Sequence, residues 1–241
     1  MAISAPSKWQ TDMTQSEARV SSRTDTTLRS ATPVGTTSLA LMESRRDSRS
    51  EPDRGPDVLE VELARTHRGS YRPGRPFLVR ALWLVLEGLF LLNPLMTSYR
   101  LKAALLRLFG AKIGKGVVIK PGVHVKYPWR LTVGNDSWLG ERAWIDNMED
   151  VTLGSNVVVS QGAYLCTGNH DWSDPVMPLA PEPIVVEEGA WVGAFAKVGP
   201  GRTIRAGSVL SLGAVALTDT EPWGVHAGNP ATLVGKRVLK R

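Results

Sequence analysis

A six-residue period in the apolar side chains constrains the fold of this chain more than any other feature of its sequence. From Ile113 to Ala216 an apolar residue recurs every six positions, with two-residue slips near Leu131 and Val151 and one long break after Leu165. An α-helix cannot produce this period, because its faces recur every ~3.6 residues. A strand can, since an even period returns the same face inward if the chain bends once in each repeat.

The repeat has two further regular positions. The residue after the apolar one is often glycine, as at Gly134 and Gly193, and we expect it to relieve the backbone at the bend. Four places after the apolar residue stands a small or β-branched side chain, as at Ala143 and Ala163. Stacked short strands of this kind bury a ladder of Val, Ile and Leu, and each coil touches only its neighbours. The sequence therefore predicts an all-β fold, a parallel β-helix, rather than a β-sandwich with accidental spacing.

Two segments of different composition precede the repeats. Residues 1–56 are rich in Ser, Thr, Arg, Asp and Glu and almost free of aromatics, so they cannot bury enough apolar surface to offset their ordering entropy. We expect a disordered tail there, with a regulatory or docking arm as the functional alternative. Residues 57–110 contain two apolar runs that predict short α-helices, the second ending at Gly110. Residues 111–241 then form the β-helix domain.

The first apolar run, Phe77–Leu92, raises the question of a membrane. It is shorter than the ~20 residues that a spanning helix needs, and it contains Arg80 and Glu87. The apolar faces of the helices either pack on the domain or lie on a membrane surface, with Trp83 and the arginines at the interface. Peripheral membrane contact through residues 77–109 is therefore an expectation beside simple packing.

The composition limits the kinds of partner and the cellular compartment that fit this sequence. The net charge of +6 and the sequence pI of about 9.7 fit an anionic partner: nucleic acid, a membrane surface or a phosphorylated cosubstrate. The basic residues carry no aromatic platform or helix-turn-helix pattern, so we expect no nucleic acid. A single cysteine, Cys166, excludes an intramolecular disulfide and suits a reducing compartment. The N-terminus lacks a secretory signal pattern, which favours a cytoplasmic protein.

The long break in the repeat is the stretch "LCTGNHDWSDPV", residues 165–176. Imidazole has an ordinary pKa of about 6.5, so His170 is a candidate general base near neutral pH. A loop that leaves the coil lets it face a cleft, although a surface histidine without a task is equally compatible with the residues alone. Asp171 could orient the imidazole as a carboxylate does in a triad, or serve the turn. For Asp174 we favour turn chemistry.

Four segments carry a resemblance to a known family: "WIDN" (144–147), "SQGAYLCTGNHDWSDP" (160–175), "WVGAFAKVGPG" (191–201) and "HAGNPA" (226–231). With the repeat, they resemble the hexapeptide-repeat acyltransferases, in the branch of the colanic acid biosynthesis acetyltransferases. The resemblance covers residues 111–241 and implies a left-handed parallel β-helix. The general rule for parallel crossovers predicts a right hand, so the left hand rests on the resemblance alone.

The resemblance implies an O-acetyltransferase that moves acetyl from acetyl-CoA to a sugar hydroxyl, in exopolysaccharide or capsule biosynthesis. His170 is then the general base, and the sugar oxygen attacks acetyl-CoA directly. Asp146 and Asn147 match the neighbourhood that contacts the acceptor, with a polar side chain filling a corner as the alternative. The residues that match the groove for the pantetheine arm are Trp191, Gly193 and Ala194, with Gly213 and Ala214 extending it.

The sequence departs from the galactoside-acetylating relatives where those often have basic residues, because Thr218 and Thr232 stand there. The CoA phosphates are then expected to meet Lys236 and Arg237, with Lys197, Arg202 and Arg205 as alternatives. The relatives pair the histidine of one chain with the groove of the next, which implies a homotrimer. Its acceptor would be a sugar or a glycolipid, met in the cytoplasm or at the inner face of the membrane.

Other chemistries fit the sequence less well. His124, His170 and His226 lack the paired spacing of a three-histidine zinc site, so no metal is expected. Cys166 stands at a repeat position that favours a small packing residue, although a Cys–His nucleophile pair is conceivable. Two alternatives stay open: a non-catalytic β-helix scaffold in a membrane-associated polysaccharide assembly, and an acyltransferase with an amine or serine acceptor.

Overall fold

The computed structural model describes residues 60–240, and the predicted tail at 1–56 lies outside them. A 3-10 turn at Leu63–Arg65 comes first. Helix α1 spans Phe77–Leu86 and continues as a π-helical segment, Glu87–Leu91. Helix α2 spans Tyr99–Leu108, and Gly110 follows it with a φ of +98°, as the sequence predicts for a helix stop.

Short strands make up the rest of the described chain. They are β1 (Lys112–Ile113), β2 (Val118–Ile119), β3 (His124–Val125), β4 (Leu131–Val133), β5 (Trp138–Leu139), β6 (Trp144–Asp146), β7 (Val151–Leu153), β8 (Val158–Val159), β9 (Tyr164–Cys166), β10 (Ile184–Val186), β11 (Trp191–Val192), β12 (Lys197–Val198), β13 (Thr203–Ile204), β14 (Val209–Leu210), β15 (Val215–Ala216), β16 (Gly224–Ala227) and β17 (Thr232–Lys236).

The strands form three parallel sheets within residues 60–240, here named faces A, B and C. Face A contains β1, β4, β7, β10 and β13, and face C contains β3, β6, β9, β12 and β15. Face B contains β2, β5, β8, β11, β14 and β16, and β17 adds to it antiparallel. The chain runs from A to B to C and back, so each coil turns the edges AB, BC and CA. The predicted parallel β-helix is confirmed.

The core follows the six-residue period. Each predicted apolar position is at most 9% exposed. These positions are Ile113, Ile119, Val125, Val133, Leu139, Ile145, Leu153, Val159, Leu165, Val186, Val192, Val198, Ile204, Leu210 and Ala216. The small residues four places later are buried as well, because they stand where two neighbouring faces converge.

The glycines of the repeat have a different task from the one the sequence suggests. A Cβ on Gly134 would lie 2.5 Å from the backbone of Gly154 in the next coil, so glycine is needed there for close approach. The bend itself lies two residues later, where Asp136 has a φ of +55°. The prediction that the glycine after the apolar residue relieves the bend was therefore wrong, because coil stacking excludes a side chain there.

The two helices cover the exposed edge of the first coil. An unpaired strand edge leaves carbonyl oxygens without donors. Arg107 Nη2 donates to Ile113 O at 2.9 Å on β1, and Lys102 Nζ lies 3.5 Å from Ile119 O on β2. On β3, Trp83 Nε1 donates to Val125 O at 2.8 Å. Each first strand therefore receives a donor from the helices.

A buried carboxylate completes this cap. Glu87 is 1% exposed and accepts the Val125 N–H at 2.6 Å, and His124 Nδ1 lies 2.9 Å from the same oxygen. Trp83 is 2% exposed. The hypothesis that Trp83 lies at a membrane interface is thus wrong, because its ring is inside the protein. Among the described residues, neither helix is long and apolar enough to cross a bilayer.

Candidate active site

The long break in the repeat is a loop between β9 and β10, at edge CA. Its two sides hydrogen-bond across each other: Asp171 N donates to Pro178 O at 3.0 Å, and Ala180 N donates to Asn169 O at 2.9 Å. Below them Glu182 N donates to Thr167 O at 3.0 Å. The loop is therefore a closed hairpin-like projection, and His170 lies in its paired stem opposite Leu179.

A segment from the start of the described chain braces this loop. Glu62 N donates to Pro175 O at 2.8 Å, and Leu179 N donates to His67 O at 3.4 Å. The Thr66 hydroxyl donates to Val176 O at 2.5 Å and lies 3.1 Å from Met177 O. These contacts join residues more than 100 positions apart, so no local sequence pattern predicts them. They restrict the loop at the place where the His170 ring is held.

The His170 ring is exposed and is oriented by a backbone carbonyl. Its Nδ1 atom lies 2.7 Å from Met177 O. A carbonyl can only accept, so this bond requires the proton on Nδ1 and leaves a lone pair on Nε2. Met177 has a φ of +44°, an uncommon conformation for a residue with a side chain, and it directs its carbonyl toward the ring. Sequence reasoning missed Met177, since its side chain plays no part.

The neighbouring acids serve the turn in this structure. Asp171 Oδ1 accepts from Ser173 N at 3.1 Å and from Ser173 Oγ, and these bonds lower the pKa of the Asp171 carboxyl. Asp174 Oδ1 accepts from Val176 N at 2.9 Å, which is the expected turn chemistry. The atom bonded to the His170 ring is thus the Met177 carbonyl oxygen, and the orienting role of Asp171 remains a prediction.

The two predicted acceptor residues have different environments at the end of β6. Asn147 is fully buried, and its amide accepts from Tyr127 N at 2.9 Å and donates to Tyr127 O at 2.6 Å. Asp146 is 8% exposed; its carboxylate lies 2.8 Å from Lys126 Nζ and accepts from Tyr164 OH at 3.0 Å. The amide of Asn147 is committed to the backbone, whereas Asp146 belongs to a charged cluster on face C.

This cluster is next to a ladder of rings on the outside of face C. His124, Trp144 and Tyr164 stand on adjacent strands, with ring centroids 5.4 Å and 4.7 Å apart. Trp144 is 44% exposed. Burial, followed by the hydrogen bonds with Cys166 and Asp146, raises the pKa of the Tyr164 hydroxyl, so Tyr164 stays protonated and donates to Asp146. The ladder offers a surface of tilted rings with polar groups at its side.

A groove of about 410 Å³ runs along edge BC. Trp191, Gly193 and Ala194 line it, with Leu212 from the next coil. The Trp191 indole donates to Ser160 Oγ at 2.8 Å, which fixes the ring over the groove wall. A Cβ on Gly193 would lie 2.6 Å from Leu210 O, so the groove floor is backbone. Such a narrow channel with an apolar wall suits an extended flexible chain.

The remaining predicted cofactor residues divide between two edges. Gly213 N donates to Ala194 O at 2.8 Å, so Gly213 and the buried Ala214 continue edge BC by one coil. Lys236 and Arg237 lie toward edge AB instead. Arg237 Nη1 donates to Gly189 O at 2.7 Å and to Gly207 O at 3.1 Å, and both carbonyls precede strands of face B. Lys236 Nζ pairs with Glu221.

The loop and the groove occupy different edges of one chain. The loop leaves between β9 and β10 at edge CA, whereas the groove lies between β11 and β12 at edge BC. Cys166 Sγ lies 3.5 Å from Gly168 O, and no hydrogen bond among the described residues joins it to His170. In residues 60–240 no group of three or more His, Cys, Asp or Glu side chains is arranged to hold a metal ion.

Comparison with known proteins places this architecture in a family. No family model matches the chain. The chain is 39% identical over 168 residues to the colanic acid biosynthesis acetyltransferase WcaF of Escherichia coli strain K12, covering 70% of this chain and 92% of that protein. It is 24% identical over 136 residues to the galactoside O-acetyltransferase of the same strain, covering 55% of this chain and 67% of that protein.

A solved structure has the same fold. The hexapeptide-repeat acetyltransferase VCA0836 of Vibrio cholerae, crystallised with acetyl-CoA, superposes with a TM-score of 0.59 at 21% identity, covering 66% of this chain and 87% of that one. The identity with WcaF extends over nearly the whole length of that protein, and this favours an enzyme family over a non-catalytic scaffold. The chain belongs to the hexapeptide-repeat acetyltransferases, in the branch of the colanic acid biosynthesis acetyltransferases.

Proposed function

We propose that this acetyltransferase moves acetyl from acetyl-CoA to a sugar hydroxyl during exopolysaccharide or capsule biosynthesis, with His170 as the general base. The observation that carries the proposal is the 2.7 Å contact between His170 Nδ1 and the Met177 carbonyl on an exposed loop. It supplies the tautomer that a base requires, because Nε2 is left free to accept a proton.

In this mechanism His170 Nε2 takes the proton of the sugar hydroxyl as the oxygen attacks the thioester carbonyl. The carbon–oxygen bond forms, the carbon–sulfur bond breaks, and the proton held by His170 passes to the departing sulfur. The Met177 carbonyl accepts from Nδ1 throughout, so it stabilises the imidazolium. No covalent acyl-enzyme is needed, and in the described part of the chain Cys166 Sγ contacts Gly168 O and is not hydrogen-bonded to His170.

The groove at edge BC is the proposed site of the pantetheine arm. Support comes from its backbone floor at Gly193 and its apolar wall at Trp191, which fit a thin, mostly apolar chain. VCA0836 and other proteins of this fold have been crystallised with acetyl-CoA or CoA. Lys236 and Arg237 are toward edge AB and are already paired, so their contact with the CoA phosphates is a weaker part of the proposal.

The ring ladder on face C is the proposed acceptor side. Sugar rings present apolar C–H faces that pack on aromatic side chains, and Trp144 offers an exposed ring. Asp146 can accept from a sugar hydroxyl beside it. Asn147 would act through Tyr127 in this arrangement, since its amide is occupied. The galactoside O-acetyltransferase among the relatives supports a sugar acceptor, whether free or part of a glycolipid.

A homotrimer would complete this site. The loop at edge CA and the groove at edge BC can meet when the edge of one chain faces that of a neighbour, a heterologous contact that closes by three-fold symmetry. Exposed large apolar residues near edge BC, among them Trp191, Phe195 and Leu212, favour burial against a partner. We place the enzyme in the cytoplasm, where acetyl-CoA is made, at the inner face of the membrane.

The test is transfer of labelled acetyl from acetyl-CoA to a panel of free, nucleotide-linked and lipid-linked sugars. We expect His170→Ala to lower kcat by ~10²-fold or more, with little change in the KM for acetyl-CoA, because only proton removal is lost. Lys112→Ala, at an exposed side chain outside the loop and the groove, is the control. Equal rates for wild type and His170→Ala would exclude His170 as the base, and transfer confined to amino groups would exclude the sugar hydroxyl.

A further inference from the structure

Helix α1 is apolar on the side that faces water as well as on the side that faces the core. A helix on the surface of a soluble protein normally shows charged residues to solvent and apolar ones to the core. In α1 every exposed residue is apolar: Phe77, Leu78, Leu82, Leu84 and Val85 are between 53% and 78% exposed. The charged residues of this segment face the other way, since Arg80 is half-buried and Glu87 is buried.

The apolar surface continues across the rest of the cap. Leu89, Leu92 and Leu95 follow α1 and are 55%, 40% and 87% exposed. On α2, Leu108 is 78% exposed and lines a groove of about 600 Å³ with Leu82 and Leu86. We call this set the apolar cap surface: Phe77, Leu78, Leu82, Leu84, Val85, Leu89, Leu92, Leu95 and Leu108. It is larger and more contiguous than the scattered apolar residues that soluble proteins tolerate.

A cationic strip borders the apolar cap surface on α2. Leu101 and Leu108 are on one face of this helix, and Arg100 and Arg107 are on the adjacent face, about 100° away. Arg100, Arg107 and Lys115 line a groove of about 430 Å³ between α2 and the first coil. Arg107 also donates a hydrogen bond to Gly114 O. The side chains of Arg100 and Lys115 are exposed to solvent. Positive charge at the margin of an apolar surface complements anionic lipid headgroups.

The charge of the whole chain is concentrated in this region. Residues 71–120 carry nine Lys and Arg against a single acidic residue, Glu87, which is a net charge of +8 where the full chain has +6. Residues 121–241 carry ten basic and twelve acidic residues. The cationic character of the protein therefore belongs to the cap and the first coil beside it, so an anionic partner is attracted to this end of the β-helix.

We propose that the apolar cap surface docks on an anionic phospholipid bilayer, with α1 lying in the interface and the strip of Arg100, Arg107 and Lys115 at the headgroups. Residues 1–59 of the same chain suit the apolar cap surface less well than a bilayer does, because they are mostly polar and contain eight basic and eight acidic residues. A lipid surface meets both demands at once: it buries the apolar side chains and pairs the cations. This inference goes beyond the proposed acetyl transfer and does not depend on it.

The test is cosedimentation of the full chain with vesicles of phosphatidylcholine alone, or mixed with phosphatidylglycerol in equal amounts. We expect binding to the anionic vesicles that weakens with added salt. Leu78→Gln combined with Val85→Gln should weaken partition by about ten-fold or more, since two large side chains no longer enter the bilayer. Arg100→Gln combined with Lys115→Gln should remove the preference for phosphatidylglycerol.

The matched control is Val238→Gln combined with Leu239→Gln, two residues that are 84% and 61% exposed and distant from the cap in sequence. It should bind as the wild type does. Failure of the wild type to bind anionic vesicles, or binding unchanged in the Leu78 and Val85 variant, would overturn the proposal. Sedimentation velocity without lipid tests the other occupant. If the wild type is an oligomer and the Leu78 and Val85 variant is not, the surface binds a second copy of the chain instead. Acetyl transfer is not measured, so failure here leaves the proposed function standing.

Discussion

At the scale of single residues, the site is organised by main-chain atoms as much as by side chains. The His170 ring is oriented by the Met177 carbonyl, and Thr66, from a distant part of the chain, donates to the neighbouring Val176 carbonyl and lies 3.1 Å from Met177 O. The Asp171 carboxylate, which resembles a triad acid in the sequence, is bonded to Ser173. The loop therefore achieves the geometry of a His–acid pair with a neutral acceptor.

A comparison of Asp171→Asn with Ser173→Ala separates the two roles of Asp171. The Ser173 change removes one bond of the turn but keeps the carboxylate. We expect both variants to lower kcat by a similar factor, below ~10-fold, because each loosens the loop without removing the partner of the ring. Steady-state kinetics with acetyl-CoA and the identified acceptor is the measurement. A ~10²-fold loss confined to Asp171→Asn would instead show that the carboxylate orients His170 directly.

At the scale of elements, the helical cap completes the hydrogen bonds that the first coil cannot make for itself. Strands β1, β2 and β3 have no preceding coil, and Arg107, Lys102 and Trp83 each donate to one of them. This arrangement blocks the free edge to another chain, which is how natural sheets avoid edge-to-edge association. It also explains why Trp83 and Glu87 turn their polar atoms toward the first coil.

Lys102 makes the stability of the cap dependent on pH. Burial lowers the pKa of the Lys102 ammonium in the folded protein below the ordinary 10.5. At a pH between the folded-state pKa and 10.5, the unfolded chain therefore binds more protons at this site than the folded protein does. The free energy of unfolding of the wild type relative to Lys102→Met should therefore rise as pH increases through this window. Urea unfolding at stepped pH measures it. Lys120→Met, at an exposed lysine that follows β2, is the control. Parallel curves for wild type and Lys102→Met would contradict the expectation.

At the scale of the whole molecule, the β-helix separates the two halves of the proposed site. His170 projects at edge CA, and the groove with Ala194 follows edge BC. A single chain presents each half on a different edge of the prism, so the proposed chemistry requires the proposed trimer. In that case the trimer would serve the reaction as well as stability.

Mixing two inactive variants tests this assembly. One chain carries His170→Ala, and the other carries Ala194→Trp, which fills the groove. Equal amounts of the two variants are unfolded and refolded together, so that trimers form at random. If each site takes its histidine and its groove from different chains, each mixed trimer holds one intact site. The mixture should then regain about a quarter of the wild-type rate. Each variant refolded alone is the control. No recovery in a mixture shown to exchange chains would place both halves of the site in one chain.

The sequence by itself determined the parallel β-helix and its core, because an even period fixes which side chains point inward before any long-range contact forms. It also singled out the loop that carries His170, since a break in a regular repeat is visible in the chain alone, and the resemblance supplied its chemistry. Only the tertiary structure decided that Trp83 is inside, that Met177 holds the His170 ring and that the glycines serve coil stacking. Those outcomes depend on contacts such as Trp83 with Val125, Thr66 with Met177 and Gly134 with Gly154, between residues far apart along the chain. A local pattern cannot specify them, because it describes the direction of a side chain and not the partner that it meets.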